Sequence, residues 1–307
     1  MSSRHLYRTQ HRSLLLVPCR GQDGPARRTR RRLVVVTLLT AGAIALLLSG
    51  CQGANGASKR VIVTGSTTIQ PIAEVAAEEF MATHPGTAIL VSGVGSSAGI
   101  ENVSSGTSDI GTSSRELKDE ELDLRLVDTP VAYDAIAVIV NPSNPVDNLS
   151  TAEIKAIFQG KIINWSEVGG PDMEIGIVNR DEASGTREAF SKIVLDKERF
   201  DPRAVILPGT GQVRSVVAQA PGAIGYISLG FVTPEVKTVA VDGVVPEEPT
   251  VVSGAYPIQR VLHFFTAEEP AGLVKEYVDF VLSPDIQETV VRDAGFIPIT
   301  AKERFSE

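Results

Sequence analysis

The segment Val61-Ile-Val-Thr-Gly-Ser-Thr-Thr68 joins a short apolar strand to a loop of glycine and hydroxyl residues. A helix is predicted directly after it, at residues 71–83, because its proline is favoured in a first helical turn. The apolar residues of that helix recur with helical spacing on one face: Ile72, Val75, Ala76 and Phe80. The segment therefore predicts a strand, a loop and a helix in succession, which is the repeating unit of α/β folds.

The same alternation continues to the end of the chain. Further strands are predicted at residues 88–92, 135–140 and 174–178, and further helices at 99–104, 151–158, 184–195, 213–218, 271–282 and 286–294. Alternating strands and helices predict an α/β fold with a mainly parallel sheet.

Two more loops repeat the first design. Gly95-Ser-Ser-Ala-Gly99 and Arg180-Asp-Glu-Ala-Ser-Gly-Thr186 each follow a predicted strand and lead into a helix. The start of a helix exposes unpaired N–H groups and a partial positive charge, so it suits an anion. A single loop of this kind more often only caps its helix. Three such loops, one of which begins with an arginine, favour a shared oxyanion site.

The second loop also fits two enzymatic patterns. Gly93-Val-Gly-Ser-Ser-Ala98 matches the dinucleotide-binding pattern, but no acidic residue ends a following strand of the required unit. Gly95-Ser-Ser-Ala-Gly99 matches the nucleophile elbow of serine hydrolases, with Ser97 as nucleophile. The downstream histidine, His263, lies in a strand-like segment where a structural role is the commoner one. We therefore predict no catalytic residues, and the serine hydrolase is the least favoured hypothesis.

The N-terminus predicts an export signal. Nine arginines lie between Arg4 and Arg32, followed by 16 uncharged residues at 33–48. That run is too short to span a bilayer comfortably but suits a signal peptide, although a short membrane anchor is the alternative. Leu48-Ser-Gly-Cys51 resembles the lipobox of bacterial lipoproteins. The expectation is a signal peptide at 1–50, lipidation of Cys51 and a tether at 51–59.

Removal of residues 1–50 makes the protein strongly acidic. That segment holds nine of 29 basic and one of 37 acidic residues, so the remainder has 20 basic and 36 acidic residues, a formal charge of −16. This balance argues against nucleic-acid binding. Cys51 is then the single cysteine and His84 and His263 the remaining histidines, so we expect no disulfide within the chain and no metal site built from these residues. No cofactor is predicted.

Several motifs, taken together, resemble the phosphate-binding proteins of phosphate ABC importers, the PstS-type family. The motifs are Thr64-Gly-Ser-Thr-Thr-Ile-Gln-Pro-Ile72, Gly95-Ser-Ser-Ala-Gly-Ile100, Asp109-Ile-Gly-Thr-Ser-Ser-Arg-Glu-Leu117, Ile157-Phe-Gln-Gly-Lys-Ile-Ile-Asn-Trp-Ser-Glu-Val168, Arg180-Asp-Glu-Ala-Ser-Gly-Thr-Arg187, Pro221-Gly-Ala-Ile-Gly-Tyr226 and Tyr256-Pro-Ile258 with Phe264-Phe-Thr266. Their order and spacing match the family over nearly all of the chain after the signal.

The resemblance implies a two-lobed fold, the type II periplasmic binding protein, with ligand in the cleft between the lobes. The chain would cross between lobes near residues 131–135 and 253–258. Lobe 1 would comprise 60–133 and 258–307, and lobe 2 would comprise 134–257.

The resemblance also implies the ligands. The phosphate ligands carried over by position are Thr67, Thr68, Ser96, Ser114, Arg180, Ser184, Gly185 and Thr186. Arg180 would be the main cationic ligand, Glu182 would pair with Arg180 and hold it, and Arg115 would support the site. Many members carry an aspartate at the position of Ser114, whereas others have serine followed by arginine, as here. That difference leaves the basis of phosphate-over-sulfate selectivity open.

The function implied is capture of inorganic phosphate outside the cytoplasm by a lipid-anchored monomer. The partners would be the permease subunits of an ABC importer and, through the lipid, the cell membrane. Two alternatives stay open. The ligand could be another oxyanion such as sulfate, molybdate or tungstate, or the protein could act as a phosphate sensor.

Overall fold

The computed structural model describes residues 59–301. The predicted signal peptide, the predicted lipidation site Cys51 and all of the tether except Lys59 lie outside the described residues. Within 59–301, no helix combines the length and the apolar character needed to cross a membrane.

Every predicted helix and strand has a counterpart in the structure. The strands are β1 Lys59–Gly65, β2 Thr87–Gly93, β3 Ile110–Ser113, β4 Val127–Val140, β5 Asn148–Leu149, β6 Gly176–Arg180, β7 Val205–Leu207, β8 Ala223–Ser228, β9 Lys237–Val241, β10 Gln259–Thr266 and β11 Ile297–Pro298. The α-helices are α1 Gln70–Thr83, α2 Ser96–Ser104, α3 Thr151–Phe158, α4 Gly185–Ile193, α5 Thr210–Gln219, α6 Glu248–Val252, α7 Gly272–Leu282 and α8 Pro284–Ile286. Short 3₁₀ turns occupy Asp119–Leu124, Trp165–Val168 and Leu229–Phe231, and a π-helical stretch at Gln287–Val291 continues α8.

The sheet is mixed, so the expectation of a mainly parallel sheet is wrong for its middle. The main strand order is β2-β1-β3-β10-β4-β8-β6-β7, with β9 and β11 also pairing with β4. Pairs near the two ends are parallel, because helices connect those strands. In the middle, β10 runs antiparallel to both β3 and β4, and β4 runs antiparallel to β8.

Strand β4 connects the two halves of the molecule. Its first part, from Val127 to Ala135, pairs with β10, and its second part, from Ile136 to Val140, pairs with β8. One large apolar cluster draws on residues 61–132 and 262–296, and another on 135–258 with Ile297 and Ala301. The lobe boundaries given above stay a prediction. Ile297 and Ala301, which the sequence analysis assigned to lobe 1, pack in the apolar cluster of residues 135–258.

The tryptophan of the motif at residues 157–168 serves packing. Trp165 is fully buried, and its Nε1 donates to the carbonyl of Gly222 at 3.0 Å. A side chain at Gly222 would collide with the carbonyl of Glu174. Gly225 is equally confined, since a Cβ there would lie 2.8 Å from a methyl group of Val213. These contacts stabilise the half that carries β6 and α4.

Candidate functional site

The loop after β1 places two threonines at the start of α1. Ser66 shapes this loop, because its Oγ accepts from the backbone N–H of Thr68 at 3.1 Å and of Ile69 at 3.3 Å. Gly65 has a φ of +141°, and a Cβ there would overlap the backbone of Thr112. Only glycine fits such a position. The loop thereby holds the hydroxyls of Thr67 and Thr68 close to the third loop.

The loop after β2 brings Ser96 to Ser114. The Oγ atoms of the two serines lie 3.2 Å apart, and the N–H of Ser114 donates to Ser96 Oγ at 3.1 Å. Ser114 follows β3, so two strands deliver these hydroxyls to one place. Both serines are buried.

The third loop, after β6, closes over the other two. Its Ser184 caps α4, accepting from the N–H of Arg187 at 3.2 Å. Gly185 follows at the point of closest approach, where a Cβ would lie 2.3 Å from Ser96 Oγ and 2.9 Å from Ser114 Oγ. Thr186 Oγ1 lies 3.2 Å from Thr68 Oγ1. The backbone N–H of Ser97 also donates to the carbonyl of Ala183 at 3.2 Å, so the second and third loops touch.

Arg180 lies at the centre of these loops and is 1% exposed. Its guanidinium donates to Thr210 Oγ1 at 3.0 Å, to Thr67 Oγ1 at 3.2 Å, and to the carbonyls of Leu207 and Pro208 at 3.2 and 2.8 Å. Burial lowers the pKa of this guanidinium. Arginine nevertheless keeps its proton in proteins, so a cation is held here by neutral oxygen atoms. Among residues 59–301, no carboxylate forms an ion pair with it.

The predicted pairing of Glu182 with Arg180 is wrong. Glu182 is 92% exposed, and its carboxylate lies 3.9 Å from Arg187 instead. The N–H of Ser184 bonds to the carbonyl of Asp181, which makes residues 181–184 a turn with Glu182 on its outer corner. The geometry of the turn therefore points the carboxylate to solvent while Arg180 points inward.

Arg115 supports the loops without reaching their centre. It forms a two-pronged pair with Glu121 at 2.6 and 2.8 Å, and its Nη2 donates to Ser97 Oγ at 3.1 Å. Burial alone would raise the pKa of Glu121, but the hydrogen bonds and charge of Arg115 lower it overall. Ser97 thus accepts from a cation, while His263 Nδ1 lies 2.8 Å from Asp128. Within the described residues Ser97 and His263 share no hydrogen bond, which leaves the serine hydrolase hypothesis without its base.

The structure adds three residues that the sequence analysis missed: Asp134, Arg260 and Thr210. Arg260 donates to Asp134 Oδ2 from Nε and Nη2, and from Nη1 to the carbonyl of Ser114 at 3.0 Å and to Thr186 Oγ1 at 2.9 Å. Burial lowers the pKa of Arg260, partly offset by Asp134. Thr210 belongs to the loop Gly209-Thr-Gly211, which follows β7 and begins α5. The same strand, glycine, hydroxyl and helix pattern marks it in the sequence.

The assembled site is rich in hydrogen-bond donors and contains one cation, Arg180, to which no carboxylate of the described residues is hydrogen-bonded. The structure brings together Thr67, Thr68, Ser96, Ser114, Arg180, Gly185 and Thr186, with Ser184 beside them as a helix cap. Between 59 and 301, no group of three His, Cys, Asp or Glu residues could hold a metal ion. Such a cluster of donors suits a small anion with several oxygen atoms, which could accept from the hydroxyls and from Arg180.

Comparison with known proteins agrees with this chemistry. A family model described as a PBP superfamily domain matches residues 52–285. The Phosphate-binding protein PstS of Bacillus subtilis is 40% identical over 252 residues, covering 81% of this chain and 84% of that protein. The chain belongs to the PstS family of phosphate-binding proteins.

Two solved structures related to this PstS family member have the same fold. A substrate-binding protein from Clostridium perfringens, solved with bound phosphate, has a TM-score of 0.76 and 39% identity, with 78% of this chain and 100% of that chain covered. An ABC-type phosphate transport receptor from Vibrio cholerae has a TM-score of 0.67 and 31% identity, with 77% and 99% covered. The fold is thus that of a type II periplasmic binding protein. PstS proteins bind substrate for ABC transporters and are not enzymes, which confirms the expectation of no catalytic role.

Proposed function

We propose that this PstS family member binds inorganic phosphate outside the cytoplasmic membrane and delivers it to the permease of an ABC importer. Family membership supports the substrate and the transport role. The site residues, the lipid anchor and the monomeric state are part of the same proposal.

The observation that carries the proposal is the environment of Arg180. A buried cation whose hydrogen-bond partners are all hydroxyls and carbonyls is unfavourable, because no hydrogen-bonded anion replaces the water that it has lost; the neighbouring Asp181 acts on Arg180 only through its charge. An oxyanion that enters the space between Thr67, Arg180 and Thr186 would be such an anion. Charge-assisted hydrogen bonds to a guanidinium are about twice as strong as neutral ones.

Binding would use both halves of the molecule. The half predicted as lobe 1 carries Thr67, Thr68, Ser96, Ser114 and Arg260. The other half carries Arg180, Gly185, Thr186 and Thr210. An anion shared between the two sets would stabilise their contact, so phosphate binding and closure would be one event.

Isothermal titration on protein stripped of bound anions tests the proposal. Phosphate should bind saturably at one site per chain, and arsenate, which has the same charge and shape, should compete with it. Molybdate, tungstate and sulfate serve as the comparison anions. Saturable binding of one of these, with no binding of phosphate, would overturn the assignment of the substrate.

Sulfate is the second candidate ligand because of Ser114. A hydroxyl at this position can donate to a fully deprotonated anion, whereas a carboxylate would repel it. Among the described contacts, Ser114 Oγ has Ser96 Oγ as its partner. Position 114 therefore presents a hydroxyl where a carboxylate would exclude sulfate by charge.

Anchoring through Cys51 explains how an exported binding protein would stay near its permease. One acyl chain binds a membrane only weakly, so the two or three chains typical of such lipoproteins are required for stable retention. Cys51→Ser should leave unprocessed precursor or release soluble protein, as shown by detergent partitioning and mass spectrometry of the N-terminus. Membrane retention of wild type without any acyl chain would exclude the anchor. Light scattering during gel filtration should give the mass of one chain.

A further inference from the structure

We propose that Thr210 is an additional phosphate-positioning residue, which holds Arg180 in place and donates its own hydroxyl proton to the bound anion. The inference rests on the proposed function, since it concerns the same pocket. It adds a fourth loop, Gly209-Thr-Gly211, to the three loops that the motifs predict.

The position of the hydroxyl carries the inference. Thr210 is 1% exposed, and its Oγ1 lies 3.0 Å from Arg180 Nη1, 3.2 Å from Thr67 Oγ1 and 3.4 Å from Thr68 Oγ1. All three neighbours are expected phosphate ligands. A side chain that served only to begin α5 would have no reason to be surrounded by them.

Helix capping does not account for this hydroxyl. The N-cap residue of α5 is Gly209, and its backbone N–H donates to Gln212 Oε1 at 3.0 Å. Thr210 is the first helical residue, and its Oγ1 bonds instead to Arg180, Thr67 and Thr68. The hydroxyl of Thr210 therefore contacts residues of the candidate site and takes no part in capping α5.

The balance of donors and acceptors gives the direction of its proton. A guanidinium can only donate, so Thr210 Oγ1 accepts from Arg180 Nη1, and Thr67 Oγ1 accepts from Arg180 Nη2. Each threonine keeps one proton to donate. The four hydroxyls of Thr67, Thr210, Thr68 and Thr186 are joined by three contacts, at 3.2, 3.4 and 3.2 Å, so at most three of their four protons can be donated within the cluster and at least one stays available. An oxyanion bound beside Thr67 and Thr210 is an acceptor that would draw their protons out of the cluster.

The test compares Thr210→Val, which removes the hydroxyl at nearly constant volume, with Thr210→Ser, which keeps it. The matched control is Thr151→Val: Thr151 is also the first residue of a helix, and its hydroxyl bonds to Asp242 away from the pocket. Each variant is titrated with phosphate by calorimetry, and its melting temperature is recorded with and without phosphate.

Thr210→Val should weaken phosphate binding about 10- to 100-fold, the range for loss of a hydrogen bond to a charged group. Thr210→Ser should bind within about threefold of wild type even if loss of the methyl group lowers its melting temperature. Thr151→Val should not change the dissociation constant. If Thr210→Val does not fold, Thr210→Ala replaces it in the same comparison.

Two results would overturn the inference while leaving the proposed function in place. One is tight phosphate binding by wild type and by Thr210→Val alike. The other is a Thr210→Ser variant as weak as Thr210→Val, because packing of the methyl group would then explain the loss. A wild-type protein that does not bind phosphate would instead remove the proposed function, and this inference with it.

Discussion

Arg260 and Asp134 face each other directly across strands β10 and β4, and the arginine donates to carboxylate oxygen Oδ2 from Nε at 2.9 Å and from Nη2 at 2.7 Å. The other oxygen, Oδ1, accepts from Ser228 Oγ and from the N–H of Leu229. Each carboxylate oxygen of Asp134 thus accepts two hydrogen bonds, and the negative charge of Asp134 balances the positive charge of Arg260. Within residues 59–301 Arg180 has no such hydrogen-bonded carboxylate, although the charge of the neighbouring Asp181 acts on it.

Replacing Asp134 by asparagine should destabilise the ligand-free protein by about 3–5 kcal/mol, the usual cost of removing one partner from a buried ion pair. Urea denaturation measures the effect. Asp147→Asn is the control, since Asp147 is an exposed partner of Lys237 and should cost under about 1 kcal/mol.

Replacing both members of the pair, as Asp134→Leu with Arg260→Met, should recover most of that stability, because no unpaired charge is left. Phosphate affinity should stay reduced in the double variant, since Arg260 also orients Thr186 and the Ser114 carbonyl. Full recovery of affinity would show that Arg260 has no part in the site.

Arg180→Ala should strongly weaken phosphate binding while the protein stays folded. Loss of one partner from a desolvated charge pair typically costs about 2–5 kcal/mol of binding free energy, which is about 30- to several thousand-fold in the dissociation constant. Arg199→Ala, on an exposed residue of the same half, is the control for general loss of positive charge. Binding by Arg180→Ala within about threefold of wild type would place the anion elsewhere.

Gly185→Ala should weaken phosphate binding by about 5- to 150-fold, the range for overpacking a tight contact. Its Cβ would lie 2.3 Å from Ser96 Oγ and 2.8 Å from Ser96 Cβ, so the third loop could not close on the second. Gly211→Ala is a matched control in the first turn of α5, where a Cβ meets nothing within 4 Å. Equal affinities of the two variants, measured by calorimetry, would contradict the contact.

Local sequence patterns predicted those parts of the site that depend on local structure. A strand, a glycine, hydroxyl residues and a helix follow one another within about ten residues, so the loops carrying Thr67, Ser96 and Thr186 could be recognised from the sequence. The same pattern occurs at Thr210, where a short and exposed strand, β7, concealed it.

The remaining features depend on pairing between distant segments. Asp134 and Arg260 are 126 positions apart, and only the register of β4 against β10 brings them together. The pattern of residues within one strand does not determine how that strand pairs with a distant one. The antiparallel centre of the sheet was not predicted for the same reason. The pairing of Glu182 with Arg180 failed because nearness in sequence does not fix which way a turn residue points.

Ser114 provides the test of selectivity. Phosphate at neutral pH still carries a proton that needs an acceptor, and sulfate carries none. A carboxylate meets this need and repels a fully deprotonated anion, whereas a hydroxyl can donate to either ligand. Wild type should therefore reject sulfate less strongly than relatives that carry aspartate here. Ser114→Asp should sharpen the preference for phosphate and bind the dianion less well as pH rises. Ser104→Asp, which gives an exposed serine the same charge, should change neither property.

The measurement is competition of sulfate against phosphate at about pH 6 and about pH 8, on either side of the second ionisation of a phosphate group. If wild type ignores millimolar sulfate at both pH values, the residue at position 114 does not set the selectivity, and an acceptor elsewhere in the pocket must do so.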